Sequence, residues 1–353
     1  MRISYMQIMN NLMQTGLTVS LAALVPLLLR RVLKKRYPAR AVCLVWALLA
    51  LRLLVPVQLT LPEAPVRVTP RTNYVMQDDR MLFEQAGLPV EQTPARWVTD
   101  EQAAALSHAG TSQTTTFNLT AVLLGLWLAG VAISAIRQAV SYGILKRRLD
   151  RTAVSAERAD LLDVLASQRS GLGISRKIPL LISPAADCPM LAGFIHPALY
   201  LPDENISAAD AAFIFRHELT HCRHGDLWLK LLLTAAQCVH WFNPLVYLIV
   251  RFAQEDIELA CDDAVVRGQN AAYRRAYGET ILRSAIAQSR RRQSLVSCFG
   301  DDKKTLMRRF EGLFDKSVKK RGAALIVLVA LLTATLGGTI AVGTKKDPAA
   351  AEA

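Results

Sequence analysis

The chain has 353 residues, 52% of them hydrophobic, and a formal net charge of +13. That length allows two or more domains, and because no DNA-reading motif accompanies the basic excess, nucleic-acid binding is the weaker account of it. None of the six cysteines (Cys43, Cys188, Cys222, Cys238, Cys261 and Cys298) falls in the polar stretch 62–116 expected outside the membrane, which argues against a disulfide framework, and they include no C-x-x-C pair, which argues against a structural metal–thiolate site.

The hydrophobic residues are concentrated in four segments with the length of membrane spans, each about 20 residues. The first lies within Ile3–Leu29. The second covers roughly Ala41–Leu61, interrupted by Arg52. The third, Phe117–Ile136, and the fourth, Ala323–Gly343, carry no charge. The first is not read as a signal peptide, because its charged flank follows the apolar run. Loop charges orient the spans. Residues 30–40 hold six basic residues and no acid, residues 62–116 four basic and seven acidic, and residues 137–321 28 basic and 20 acidic. The positive-inside rule puts the first and third of these loops in the cytoplasm and both termini outside. The expected organisation is two spans within 1–61 around the basic loop 30–40, an outer loop 62–116 and a third span 117–136. A cytoplasmic domain 137–321, a fourth span at 322–343 and an outer tail 344–353 follow. The expected class is a mainly α, multi-pass membrane protein with an α+β domain inserted between the third and fourth spans.

The outer loop is polar and proline-rich, with a short helix expected over Thr99–Leu106, and nothing in it reads as chemistry. Beyond the third span, Arg137–Asp150 reads as a basic helix leaving the membrane and Ser155–Ser170 as an amphipathic helix closed by Gly171 and Gly173. Ile178–Ser183 and Gly193–Leu201 read as short strands. The prolines around them confine such strands to edges, where an extended peptide can be held by backbone pairing.

His217-Glu218-Leu219-Thr220-His221 is an H-E-x-x-H motif. Ser207 reads as the N-cap of its helix, with Asp210 three residues on, and Gly225 as its stop. Four helical residues advance about 400°, so the two imidazoles share one face and suit a single zinc ion. Glu218, beside them, is the candidate general base. Ala211, Phe213, Ile214, Phe215 and Leu219 make the surroundings apolar, so the polar groups need a partner such as a metal.

Leu227–Val239 and Leu245–Phe252 are apolar helices flanking a break at His240–Pro244, short for spans but suited to a core that touches the bilayer. The acidic run after them supplies the third ligand. Glu258 is the best choice, with Glu255 and Asp256 competing. Asp262, one turn on from Glu258, is expected to accept the outer ring N–H of a ligand histidine. His224 reads as a poorer ligand than Glu258. One zinc per chain then activates water for peptide hydrolysis with Glu218 as proton carrier. His240, Asn243, Arg251 and Tyr247 all remain open as oxyanion or substrate contacts.

The strings His-Glu-Leu-Thr-His-Cys-Arg-His-Gly-Asp, Val-His-Trp-Phe-Asn-Pro and Asp-Ile-Glu-Leu-Ala-Cys-Asp-Asp occur in that order. Together with Cys-Pro-Met-Leu-Ala-Gly-Phe-Ile-His-Pro-Ala-Leu-Tyr-Leu-Pro over 188–202 and the four-span layout, they resemble the BlaR/MecR family of membrane zinc metallopeptidases across almost the whole chain. The resemblance implies a gluzincin-type cytoplasmic protease domain with His217, His221 and Glu258 on zinc and Glu218 catalytic. It also implies transmembrane signalling of β-lactam antibiotics or cell-wall stress in a bacterial membrane, with self-cleavage and loss of a winged-helix repressor. The best-known members carry a penicillin-binding sensor after the fourth span. Here ten residues follow Gly343, with no S-x-x-K motif outside the membrane. The expectation is a truncated form, or a sensor in the outer loop or a partner protein. Self-cleavage is expected near Ser297, Cys298, Phe299 and Gly300, where apolar residues and a glycine interrupt a charged linker. A homodimer is compatible with Gly337 and Gly338 in the last span. Two other readings are a quality-control or prenyl-protein protease of the HtpX type, and a non-enzymatic receptor or scaffold with a structural metal. The Glu218 carboxylate disfavours the scaffold, since a structural site has no need of it.

Overall fold

A computed structural model describes residues 5–55, 66–68, 119–291, 299–315, 319–320 and 322–342. The fold is mainly helical. Helices α1 (Tyr5–Leu28), α2 (Arg30–Arg36) and α3 (Ala39–Leu54) form the N-terminal group. Strand β1 (Val66–Val68) follows, then the long helix α4 (Leu119–Thr152). The α+β part comprises β2 (Val154–Ser155), α5 (Ala159–Gly171), β3 (Leu180–Ile182), β4 (Met190–Ala192) and β5 (Ala198–Leu201). It continues with α6 (Ala208–His224), α7 (Asp226–Val239), α8 (Pro244–Val265), α9 (Ala271–Arg291) and α10 (Phe299–Phe314). Helix α11 (Ala323–Thr339) and β6 (Ile340–Val342) end the described chain, with β6 pairing in parallel with β1.

The four-stranded sheet has the order β2-β3-β5-β4, so β4 is an edge strand. It pairs antiparallel with β5, Leu191 opposite Leu199, while β3 and β5 run parallel. The second expected strand, Gly193–Leu201, is strand only from Ala198. Gly193 sits at φ 109, and a Cβ there would collide with the His196 carbonyl, so the chain turns back instead of extending. The expected helix at Ser155 begins at Ala159, because Val154 and Ser155 pair with β3.

One face of the sheet packs on α5 and α6 through Leu161, Leu165, Leu199, Leu201, Phe215 and Leu219. Fully burying such a side chain stabilises the fold by about 1.5–3 kcal/mol. Leu149, from the C-terminal end of α4, covers the other face beside Ala198 and Tyr200. A separate core joins α1, α3, α7, α8 and α11 around Trp46, Leu49, Ile249 and Ile257. Buried charge is neutralised where α2 and α3 meet α8. Asp256, 1% exposed, receives Arg30 at 3.0 Å, Lys34 at 2.8 Å and the Trp46 indole N–H at 2.9 Å. A carboxylate so deep needs such partners.

The described residues cover the expected spans only in part. Among the described residues, α4 is by itself long and apolar enough to cross a membrane: within Ala121–Thr152 an 18-residue stretch has a mean hydropathy of 1.6 and lies on the outside of the molecule. The part of α1 from Thr15 on meets α2 at a bend of 62°, and these two segments pass the same test as a pair. Helix α3 has 16 residues and α11 has 17. Residues 56–61 of the second expected span, most of the outer loop with its helix at Thr99–Leu106, and the tail 344–353 lie outside the described residues.

Candidate metal centre

Helix α6 forms where its caps direct. Ser207 Oγ accepts the backbone N–H of Asp210 at 3.0 Å, and Gly225 ends the helix at φ 68, a left-handed conformation that favours glycine. His217 and His221 therefore stand one turn apart, 9% and 8% exposed. Helix α8 is started by Asn243, whose Oδ1 accepts from the Leu245 N–H at 3.0 Å, with Pro244 at its first position. This helix lies against α6 and brings Glu258 to the two imidazoles.

The Nε2 atoms of His217 and His221 are 3.2 Å apart. Glu258 Oε2 is 3.5 Å from the first and 3.6 Å from the second. Donors each about 2.0–2.1 Å from one tetrahedral ion lie about 3.3 Å from one another, so this triangle has the dimensions of a metal site. The outer ring nitrogens fix the tautomers. His221 Nδ1 donates to Asp226 Oδ2 at 2.8 Å. The Tyr277 hydroxyl donates to Asp262 Oδ1 at 2.7 Å, so it accepts from His217 Nδ1 at 2.8 Å. With both Nδ1 atoms protonated, both Nε2 lone pairs point inward at each other, and a cation between them resolves the conflict. The residues present therefore fit a metal ion.

Charge around the imidazoles agrees. Burial lowers the pKa of His217 and His221, but negative charge around them, at the Cys261 sulfur and the carboxylates of Asp262, Glu258 and Asp226, raises them well above the ordinary value. Burial raises the Glu258 pKa, yet the two imidazoles and Lys230 hold it well below the usual carboxylate range. Asp262 likewise stays ionised: burial opposes this, and the Arg309 guanidinium and His217 outweigh it.

Asp226, Tyr277, Arg309 and Cys261 are members of this cluster that the motif reading did not supply. Asp226 was visible in the His-Cys-Arg-His-Gly-Asp string, five residues past His221 across the Gly225 turn. Tyr277 and Arg309 come from α9 and α10 and had no local signal. The Asp262 expectation is modified: Tyr277 stands between it and His217, whose direct Nδ1–Oδ1 separation is 3.4 Å. Cys261 is a second candidate third donor, since its Sγ and the two imidazoles lie within 4.8 Å of one another. Its thiol donates to the His217 carbonyl at 3.1 Å and does not line the cleft, whereas Glu258 does, with Oε2 3.5 and 3.6 Å from the two Nε2 atoms. Geometry favours Glu258.

The structure does not bring His240, Asn243, Arg251 or Tyr247 to this site; none of them lines the cleft. The first two hold the α7–α8 turn against the N-terminal helices: His240 Nε2 donates to the Leu53 carbonyl at 3.1 Å and Asn243 Nδ2 to Ser20 Oγ at 2.8 Å. Tyr247 donates to the Trp241 carbonyl, and Arg251 lies near Glu255 on the exposed side of α8. Glu255 and Asp256, the competing ligands, point instead to Arg30. Ser297 and Cys298 lie outside the described residues, while Phe299 and Gly300 open α10.

The cleft beside the triangle has a volume of about 340 Å³, the size of small-ligand and peptide subsites. Its walls include the edge strand β4, and the Leu191 N–H donates to Glu218 Oε2 at 3.1 Å. Ile214, Leu227, Ile281 and Leu306 make it largely apolar, and Lys230 places its ammonium 3.6 Å from Glu258 Oε1.

An H-E-x-x-H helix, a glutamate from the helix packed against it and an edge strand along the cleft are the construction of a metallopeptidase. The chain belongs to the BlaR1 peptidase M56 family, whose model matches residues 10–313. It is 27% identical over 221 residues to the regulatory protein BlaR1 of Bacillus licheniformis, covering 61% of this chain and 36% of that protein. To the methicillin resistance mecR1 protein of Staphylococcus aureus it is 27% identical over 183 residues, 50% of this chain and 31% of the relative. The chain thus spans about a third of the length of these curated relatives.

Proposed function

We propose that this chain is a multi-pass membrane zinc endopeptidase that transduces a signal. The observation that carries the reading is the convergence of His217 Nε2, His221 Nε2 and Glu258 Oε2 on one point beside Glu218. Two imidazoles and a carboxylate suit zinc with an open fourth position, and zinc bound there polarises a carbonyl and acidifies water. The rest falls to the chain. Glu218, with one oxygen held by the Leu191 N–H, takes a proton from the attacking water and passes it to the leaving amine. One water adds across the peptide bond, leaving a carboxylate and an amine. Lys230, half-buried in the cleft wall, is the cation placed to meet the developing oxyanion. The free edge of β4 holds the substrate extended, and the apolar wall takes an apolar side chain.

The domain 137–321 is cytoplasmic in this reading, between the third and fourth of four spans, with both termini outside. The basic loops support that orientation. The relatives' printed names, a regulatory protein and a methicillin resistance protein, support a role upstream of resistance or cell-wall-stress genes. The proposed substrates are the chain itself, in the 297–300 region, and a winged-helix repressor. The signal enters through the outer loop or a separate sensor protein, and the chain works in the bilayer, with a homodimer as the assembly to test.

The test is elemental analysis of detergent-purified protein, with mass spectrometry of self-cleavage fragments and digestion of a candidate repressor. Wild type should hold about one zinc per chain and yield fragments that Glu218→Gln does not. Wild type without zinc would sink the reading.

A further inference from the structure

Both imidazoles are steadied by a buried carboxylate, and both carboxylates are clasped by an arginine from a segment outside the motif helices. Asp226, 1% exposed, holds His221 Nδ1 through Oδ2 and receives Arg40 Nη1 on Oδ1 at 2.8 Å. Arg40 Nη2 also donates to the His224 carbonyl at 2.6 Å, which fixes the turn carrying Asp226. Asp262, 2% exposed, is reached from His217 through Tyr277. It takes Arg309 in a two-point grip, Nε at 2.7 Å and Nη2 at 2.8 Å, with Nη1 3.9 Å from Glu258 Oε2.

The two arginines sit where the domain meets its apolar helices. Arg40 is the second residue of α3, just past the α2–α3 turn. Arg309 is on α10, the last helix before α11. A carboxylate held from one side only is free to rotate, and a histidine ligand loses metal affinity when its outer partner is not fixed. A two-point guanidinium–carboxylate contact fixes both distance and plane.

We propose that Arg40 and Arg309 are positioning residues for the metal ligands, so that the site is complete only while the α2–α3 turn and α10 are both docked. The proposal rests on the metal-site reading above.

The test uses the full chain in detergent, with cobalt(II) as probe and zinc in competition. Arg40→Gln and Arg309→Gln should each weaken metal binding by about 10–100-fold and change the cobalt d–d spectrum. Arg40→Lys, which keeps the charge on Asp226, should recover part of the loss. Arg31→Ala, an exposed change on the neighbouring helix α2, should bind as wild type does. Loss of thermal stability with affinity and spectrum within twofold of wild type would make the arginines mere struts and overturn the proposal. If Arg309→Gln does not fold, Arg40→Gln decides by the same criterion. Wild type that binds no metal defeats the site itself, a result distinct from wild type binding and the variants matching it.

Discussion

Tyr277 and His217 are joined by a 2.8 Å hydrogen bond in which the phenol oxygen accepts, because its own proton goes to Asp262. One hydroxyl from α9 thereby sets the tautomer of a metal-facing imidazole on α6. Tyr277→Phe leaves the His217 N–H and the Asp262 carboxylate 3.4 Å apart with no bridge. Metal affinity should fall by about tenfold or more, and stability by about 1–3 kcal/mol for the unsatisfied buried groups. Zinc titration against a chelator and urea unfolding measure the two effects separately.

Glu218 touches the cleft and the Leu191 N–H but neither imidazole within bonding distance. Glu218→Gln should therefore retain metal at wild-type affinity while cleavage falls by about 10²–10⁴-fold, the range for loss of a proton carrier. Parallel metal analysis and product assay check it. A variant that loses metal as well would give Glu218 a ligand role.

Glu258 and Cys261 compete for the third donor position, and their substitutions separate them. Glu258→Gln should lose most bound metal. Cys261→Ala should keep it, because the thiol is engaged by the His217 carbonyl and does not line the cleft. The reverse pattern, read by elemental analysis, would make the site a two-histidine thiolate centre.

Chelation should lower the melting temperature of wild type, since an ion that binds only the folded state stabilises it in proportion to ln(1 + [L]/Kd). Glu258→Gln should melt at one temperature with and without chelator. A wild type indifferent to chelation would mean that the triangle binds no metal under those conditions.

Gly130 lies where α4 meets the α7–α8 turn, and a Cβ there would overlap the Trp241 indole. The contact is framed by two hydrogen bonds, Trp127 Nε1 to the Val239 carbonyl at 2.9 Å and Trp241 Nε1 to the Trp127 carbonyl at 3.3 Å. Gly130→Val should cost about 1–3 kcal/mol by overpacking and shift tryptophan fluorescence. Thermal unfolding followed by that fluorescence reads both.

Much of the centre was legible because its chemistry is local. The i,i+4 histidines, the Ser207 cap, the Gly225 stop and the Glu258–Asp262 spacing are all set by one helix repeat. The strands expected at the sheet edges, Ile178–Ser183 and Gly193–Leu201, are the inner pair β3 and β5, and the edge strand along the cleft is β4, the three residues Met190–Ala192 that the prolines had hidden. His240 and Asn243 looked chemical and proved to be anchors, since a polar side chain in an apolar turn needs a partner and a nearby carbonyl or hydroxyl serves as well as a substrate.

The helix with its two imidazoles and base, and the apolar character of the segments around it, could be read from the chain alone, because periodicity, caps and residue chemistry act within one stretch; the family came from the resemblance of several such stretches. Tertiary structure alone decided which carboxylate serves which imidazole. Asp256, two residues before Glu258, turns to Arg30, while Asp226 and Asp262 receive Arg40 and Arg309 from far along the chain. A buried charge must be matched where it lies in space, and no periodicity along the chain records which distant arginine will do so.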